Sequence, residues 1–181
     1  MRVFIGVDFN VDVKHYLQTV QTYIKSTAIG GNFTKFDNFH MTLRYVGHVE
    51  LAAIDILSDM LDDVTTQQKA FSITIGDLGA FGKGEKKLIY VPVKTGKEPL
   101  LKIDADLRRS LDALGFEYDS KKLLPHVTVA REVRFNNQIN PSMPMPLYTE
   151  KILVSAITLF ASVRREGLLQ YEPLHQARLE P

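Results

Sequence analysis

One short pattern occurs twice in this chain of 181 residues: a histidine, an apolar residue, a threonine and a second apolar residue. The first copy is His40-Met41-Thr42-Leu43 and the second is His126-Val127-Thr128-Val129. Chance would give only about 0.07 such motifs in a chain of this composition. Side chains two apart on a strand point to the same face. The pattern therefore predicts two strands that each present an imidazole beside a hydroxyl, with apolar side chains buried behind them.

The two motifs lie at matching places in a larger internal repeat. They are 86 residues apart, and the same shift places residues 2–7 on residues 88–93, which are both β-rich runs. An amphipathic helix is predicted after each run from apolar residues at helical spacing. These residues are Val13, Leu17, Val20 and Ile24 in the first half, and Leu100, Ile103, Leu107, Leu111 and Leu114 in the second. Glycines at 30–31 and at 115 are interpreted as the helix ends.

The remaining segments predict one more helix and several strands. The helix is indicated by helical spacing of Leu51, Ile54, Leu57, Leu61 and Val64. Residues 71–75 form a predicted strand, and residues 76–87 a hairpin or loop. Residues 152–160 predict one long buried strand with 171–179 as its partner, although a helix is the alternative for the latter. Three alternating prolines in 141–146 predict a surface loop. These elements lack strict βαβ alternation, which favours an α+β fold with mainly antiparallel sheets.

Composition limits the class of protein without identifying it. A chain of 181 residues with 45% apolar content can bury one core, and we expect residues 1–181 to form a single domain of two pseudo-symmetric lobes. The sequence has no cysteine, which excludes disulfides and thiolate sites. No apolar run approaches the length of a membrane span and the amino terminus does not resemble a signal peptide, so we expect a cytoplasmic protein. A formal charge of +1 argues against coating of nucleic acid but allows binding of an RNA end.

The residues of the two motifs suit chemistry on an oxyanion such as a phosphate. Two His-x-Thr pairs brought face to face would supply an acid, a base and two neutral hydrogen-bond donors. Free imidazole titrates near neutrality, so one ring can act charged and the other neutral. Arg44 has the strand parity of His40 and Thr42 and is predicted to line the same groove. Arg131 falls on the opposite face from its motif histidine unless the strand end bulges.

These residues resemble the two-histidine (2H) phosphoesterase superfamily, and within it the RNA 2′,3′-cyclic phosphodiesterases, historically called 2′-5′ RNA ligases. The resemblance extends over nearly the whole chain. It includes an opening strand at residues 4–7, the motif segments 38–47 and 124–131, and a closing segment at 157–174. It implies a bilobal, pseudo-twofold α+β fold in which the motif strands line a central cleft. It also implies that no metal or other cofactor is needed.

The resemblance implies that a terminal 2′,3′-cyclic phosphate is opened to a 2′-phosphate. In that scheme His40 is the general acid that protonates the departing 3′ oxygen, and His126 is the base that takes a proton from water. The residues predicted to bind the substrate are Thr42, Thr128, Arg131 and Arg44. The expected partners are RNA ends or 2′,3′-cyclic nucleotides, and the protein is expected to be a monomer without membrane association. The sequence symmetry alone does not decide which histidine is the acid.

Three alternatives stay open at this point. The substrate could be another small cyclic phosphate, such as an ADP-ribose cyclic phosphate. The reaction could be reversible 2′-5′ RNA ligation by the same groups. The chain could instead be a non-catalytic module that binds RNA or a nucleotide, although both intact His-x-Thr pairs weigh against this. Phe9 or Tyr171 could stack on a base, but a lone aromatic side chain is more often part of the core.

Overall fold

A computed structural model describes residues 1–136 and 145–181, and this part of the chain contains three α-helices and ten strands. In chain order they are β1 (Arg2–Asp8), α1 (Val11–Lys25), β2 (Ala28–Phe33), a 3-10 turn (Phe36–Asn38), β3 (His40–His48), α2 (Ala53–Thr65), β4 (Phe71–Ile75), β5 (Gly79–Phe81), β6 (Lys87–Thr95), α3 (Lys97–Ala113), β7 (His126–Phe135), β8 (Ile152–Val154), β9 (Ala156–Arg165) and β10 (Leu168–Arg178). None of the helices in the described ranges is long and apolar enough to cross a membrane.

The described strands form two antiparallel sheets. The first has the order β10-β9-β1-β3, and the second has the order β2-β7-β6-β4-β8, with β5 paired to β6. The prediction of an α+β fold with mainly antiparallel sheets is therefore confirmed. The two motif strands, β3 and β7, belong to different sheets and approach each other within 8 Å between Cα atoms. The fold thus brings the two His-x-Thr motifs together from separate sheets.

The predicted strand–helix–strand repeat is present in both halves as β1-α1-β3 and β6-α3-β7. In each half the first strand pairs antiparallel with the motif strand. The registers differ, because Gly6 lies opposite Thr42 whereas Tyr90 lies opposite Thr128. The strand β6 is therefore displaced by two residues from the alignment that the motif offset predicted. The helices link the halves, since α1 contacts β2 and β7 while α3 contacts β3.

The predicted apolar stripes are buried except at their ends. Leu114 follows the last turn of α3 and is 48% exposed, and Leu51 precedes α2 and is 70% exposed. Gly115 ends α3 in the left-handed region at φ +72°, as predicted. The helix α1 is present as predicted but its predicted end was wrong, because it ends at Lys25 and the glycines at 30–31 lie within β2.

The predicted long strand over residues 152–160 is divided between the two sheets. The strand β8 pairs with β4 in the second sheet, while β9 pairs with β1 and β10 in the first, and Ser155 separates them. An apolar run carries no mark at such a change of sheet, because an apolar strand has the same sequence pattern in either sheet. The partner over 171–179 is a strand, β10, so the helical alternative was wrong. Of the predicted loop at 141–146, residues 141–144 lie outside the described residues.

Candidate functional site

The two motif histidines are held by the same local hydrogen bond. Nδ1 of His40 lies 2.7 Å from the carbonyl oxygen of Asn38, and Nδ1 of His126 lies 2.5 Å from the carbonyl oxygen of Leu124. A carbonyl oxygen can only accept, so Nδ1 carries the hydrogen in both rings. Nε2 of each neutral ring is then the nitrogen that can take a proton. Both imidazoles therefore offer the equivalent nitrogen for chemistry.

Each threonine lies on the same strand face as its histidine, as predicted from the period of two. Along both motifs, half-buried histidine and threonine alternate with buried apolar residues. Oγ1 of Thr42 lies 2.9 Å from Nε2 of His40. The hydroxyl can donate to the unprotonated ring, or accept from the ring when Nε2 is protonated.

The ring of His40 is packed among aromatic side chains. Its centroid lies 4.7 Å from that of Phe4 and 4.8 Å from that of Tyr171. Burial lowers the pKa of His40 from 6.5 to about 4, because desolvation penalises the charged imidazolium. The carbonyl of Asn38 opposes this shift, and the positive charge of Arg131 adds to it. In the unliganded protein His40 is therefore neutral at pH 7. Tyr171 packs against the ring of His40, and Phe9, the other candidate for base stacking, is buried.

The ring of His126 borders a small cavity that the sequence did not predict. Phe81 and Tyr90 stack on each other at 4.2 Å between centroids. Both meet the ring of His126 in T-shaped geometry, at 5.5 and 5.1 Å between centroids. These three side chains line a cavity of about 240 Å³. A larger cavity of about 750 Å³, lined by Tyr16 and Tyr148 among others, contains neither motif histidine. The smaller cavity is thus the one that adjoins the predicted chemistry.

A bulge in β3 changes the face on which Arg44 lies. Gly6 is opposite Thr42, but the preceding residue, Ile5, is already opposite Arg44, so β3 contains one extra residue. Such a bulge reverses the alternation of side chains beyond it. Arg44 consequently turns inward and is 3% exposed, while Tyr45 takes the half-buried face of Thr42.

The prediction that Arg44 lines the substrate groove was wrong for this reason. Its guanidinium forms a buried ion pair with Asp104 of α3, in which Nε donates to Oδ1 at 2.8 Å. Nη1 donates to the carbonyl oxygens of Asp119 at 2.5 Å and of Lys121 at 2.9 Å. Parity along a regular strand could not reveal this, because the inserted residue leaves no periodic mark in the sequence.

The same bulge in β7 brings Arg131 to the face of its motif histidine. Here Tyr90 is opposite Thr128, but Ile89 is opposite Ala130. Ala130 is buried, and Arg131 takes the exposed position that follows. The side chain of Arg131 makes no hydrogen bond or ion pair with any residue in 1–136 or 145–181, yet its charge acts on His40. The structure therefore places a cation near both histidine motifs that no carboxylate of the described ranges neutralises.

Metal-ligating side chains do not gather in the described part of the chain. Within 1–136 and 145–181, no three His, Cys, Asp or Glu side chains come close enough to hold a metal ion. The groups on the two neighbouring motif strands are instead two imidazoles, two threonines and Arg131. This set can bind an oxyanion and transfer protons on it.

Comparison with known sequences extends over most of the chain. The model of the 2′-5′ RNA ligase superfamily matches residues 32–165. Relatives named RNA 2′,3′-cyclic phosphodiesterase include one from Thermotoga maritima, 26% identical over 131 residues, which are 72% of this chain and 70% of that protein. Another, from Escherichia coli, is 22% identical over 174 residues, or 96% of this chain and 93% of that protein.

Comparison with solved structures concerns the fold. The crystal structure of E. coli LigT in apo form matches with a TM-score of 0.81 at 21% identity, over 99% of this chain and 98% of that one. The crystal structure of TT0787 from Thermus thermophilus matches with a TM-score of 0.80 at 20% identity, over the same shares. These likenesses confirm the predicted fold class.

Proposed function

The chain belongs to the 2′-5′ RNA ligase superfamily, and on this premise we propose that it hydrolyses the terminal 2′,3′-cyclic phosphate of RNA or of nucleotides to a 2′-phosphate. The observation that carries the proposal is the duplicated imidazole geometry, in which Nδ1 of both His40 and His126 is fixed on a carbonyl. In-line displacement at phosphorus needs a base at the entering oxygen and an acid at the departing one. Two equivalent Nε2 atoms from facing motifs meet that need. The names of the sequence relatives support the same activity.

In the proposed reaction a water molecule attacks phosphorus while Nε2 of His126 takes its proton. The bond between phosphorus and the 3′ oxygen breaks, and Nε2 of His40 gives a proton to that oxygen. The phosphate stays on the 2′ oxygen. Each proton transfer contributes about 10²–10⁴-fold to the rate. The direction, with His40 as acid and His126 as base, comes from the resemblance to the family.

The threonines and Arg131 stabilise the charge that develops on the phosphate. The hydroxyls of Thr42 and Thr128 share the strand faces of the histidines and donate to the two non-bridging oxygens. The guanidinium of Arg131 neutralises the added negative charge. Arg44 has no part in substrate binding, since its donors are used inside the protein.

The low pKa of His40 fits the acid role when the substrate charge is included. In the free protein the pKa is about 4, through burial and the charge of Arg131. A cyclic phosphate carries a negative charge, and an anion beside His40 and Arg131 favours the imidazolium form. Substrate binding therefore promotes protonation of the group that will protonate the leaving oxygen. The water-derived proton on His126 returns to solvent after turnover.

The activity is tested with 2′,3′-cyclic nucleotides and a short RNA ending in cyclic phosphate, in excess EDTA. Products are separated against 2′- and 3′-phosphate standards. We expect the 2′-phosphate, and a loss of at least about 10²-fold in both His40→Ala and His126→Ala. His48→Ala, which changes an exposed histidine at the end of the same β3, is the matched control and should retain full turnover. Normal turnover in His126→Ala, or loss of wild-type turnover in EDTA, would reject the metal-independent two-histidine mechanism.

The same assay separates the alternatives. Turnover of an ADP-ribose cyclic phosphate but not of RNA would assign a different small substrate. Joined RNA at a high concentration of RNA ends would favour ligation. RNA binding that survives both histidine substitutions, without any turnover by the wild type, would favour a binding module.

We also propose that residues 1–181 act as one two-lobed domain and as a cytoplasmic monomer. Light scattering after size exclusion tests the monomeric state.

A further inference from the structure

The segment that precedes His126 is held by the strand that carries His40. The backbone N–H of Asp119 donates to the carbonyl oxygen of Tyr45 on β3 at 2.8 Å. From the neighbouring position on β3, Nη1 of Arg44 donates to the carbonyl oxygens of Asp119 and Lys121 at 2.5 and 2.9 Å. Three hydrogen bonds thus join β3 to the chain that enters the second motif.

The segment that precedes His40 is held in the same way by the other motif strand. The backbone N–H of Thr34 donates to the carbonyl oxygen of Val129 on β7 at 3.1 Å, and its Oγ1 donates to the carbonyl oxygen of Thr128 at 3.0 Å. Gln21 of α1 is buried, and its Nε2 donates at 2.7 Å to the carbonyl oxygens of both Thr34 and Val129. Each motif strand therefore supports the approach to the opposite histidine.

Arg44 is held firmly because its charge is buried and compensated. Arg44 is 3% exposed, and the carboxylate of Asp104 that pairs with it is buried as well. A buried charge persists only when it is paired and its donors are satisfied. Lys121, one of the two carbonyl partners, lies three residues before Leu124, whose carbonyl fixes Nδ1 of His126. The hydrogen bonds of Arg44 thus end three residues before the carbonyl that orients the imidazole of His126.

We propose that Arg44 is a positioning residue for His126, and that Gln21 is its counterpart for His40; the inference rests on the function proposed above. Neither side chain touches substrate. Each fixes the backbone that aims one Nε2 at the phosphate. Arg44 does so from β3, in the half opposite to His126, whereas Gln21 of α1 lies in the same half as His40 and joins the segment before His40 to β7. A displacement of about 1 Å at a reacting group costs about 10²-fold in rate. The loss should therefore appear in kcat and leave KM nearly unchanged.

The experiment separates positioning from stability by removing the whole ion pair. Arg44→Met alone leaves the carboxylate of Asp104 buried and unpaired, so it should lower the melting temperature strongly. The double variant Arg44→Met/Asp104→Leu replaces the pair by apolar side chains and should recover most of that loss. It does not restore the donors to the carbonyls of Asp119 and Lys121. We expect kcat on a 2′,3′-cyclic nucleotide to stay about 10²-fold below wild type.

Imidazole ¹H–¹⁵N spectra of the ¹⁵N-labelled protein give a readout that does not depend on turnover. The Arg44→Met/Asp104→Leu variant should move the Nδ1–H signal of His126 and leave that of His40 in place. Gln21→Met should do the reverse. The matched control is Arg165→Met/Glu172→Leu, which removes an exposed ion pair of the β9–β10 hairpin and should move neither signal.

The outcomes are distinct. If Arg44→Met/Asp104→Leu recovers kcat together with the melting temperature, the positioning role is overturned. It is also overturned if this variant and Gln21→Met each displace the signals of His40 and His126 equally. A stable double variant with low kcat, unchanged KM and a displaced His126 signal alone would support it. If wild-type protein does not turn over cyclic phosphates, the proposed function fails, whereas the spectra still decide whether Arg44 and Gln21 orient the two rings.

Discussion

Arg131 and His40 belong to different sheets, yet the guanidinium of Arg131 lies near enough to the imidazole of His40 to lower its pKa. The bulge that follows Thr128 is the cause, because it turns Arg131 to the face of the second motif. The pKa of the first histidine is thus set mainly by burial and lowered further by a residue of the second half. Neither half alone contains the complete electrostatic environment of the site.

Removal of the Arg131 charge should raise the pKa of His40. In Arg131→Gln the imidazolium loses a repulsive neighbour, so the pKa should rise from about 4. It should stay below 6.5, because desolvation is the largest cause of the shift and remains. The measurement is an NMR titration of the His40 ring. Arg134→Gln changes an exposed arginine on the same strand and is the control. An unchanged midpoint in Arg131→Gln would contradict the placement of Arg131.

The lowered pKa of His40 also makes stability depend on pH. The group titrates at about 4 in the folded state and at 6.5 when exposed, so the unfolded state binds more protons between these values. The free energy of unfolding should therefore fall as pH decreases from 6.5 to 4, by up to about 3 kcal/mol from this residue. Urea unfolding of wild type and His40→Gln across this window isolates the contribution.

In that experiment the difference between the two proteins is the relevant quantity, because carboxylates also titrate near the acidic end. The wild-type advantage should shrink steadily from pH 6.5 to pH 4. His48→Gln at the exposed end of β3 should run parallel to wild type. Parallel curves for His40→Gln as well would show that His40 is not buried as described.

The position of the histidines and threonines could be predicted because their pattern is local. A period of two fixes which residues share a face, and the duplication identified both strands. The bulge in β3 could not be predicted, since its extra residue leaves no periodic signal, whereas a bulge in β7 was the stated condition for Arg131 to share the face of His126. In β7 the bulge is visible in the sequence as two adjacent apolar residues, Val129 and Ala130. In β3 the second residue of the corresponding pair is the charged Arg44. Its burial depends on Asp104, sixty positions away in the chain.

The aromatic contacts of the histidines could not be predicted from the sequence either. Phe81 and Tyr90 come together only because β5 pairs with β6, and β5 lies in a segment predicted as a hairpin or loop. The glycine at 79 leaves the space in which the Tyr90 ring lies, since a Cβ there would overlap that ring. Such contacts are set by tertiary pairing rather than by local propensity.

Loss of either motif hydroxyl should reduce turnover without loss of the fold. Thr42→Val and Thr128→Val keep the side-chain shape and remove the donor to a non-bridging oxygen. Each should lower kcat by about 10²-fold, the effect of removing one oxyanion donor. Thr42→Ser and Thr128→Ser retain the hydroxyl and should stay close to wild type. Steady-state kinetics on a 2′,3′-cyclic nucleotide provide the measurement, and wild-type kcat in both valine variants would exclude this role.

Gly6 should be intolerant of any side chain, because β1 and β3 approach closely where the first motif bulges. A Cβ at position 6 would lie 2.5 Å from the carbonyl oxygen of Met41, which is backbone and cannot move aside alone. Gly6→Ala should therefore displace β3, reduce the free energy of unfolding by about 1–3 kcal/mol and lower kcat through His40. Gly30→Ala is the matched control, since a Cβ there meets only the end of the Arg134 side chain at 3.8 Å. Urea unfolding gives the free energy of unfolding of both variants, and steady-state kinetics give their kcat. If the two alanine variants behave alike, the close approach of β1 to the first motif strand is not what holds His40 in place.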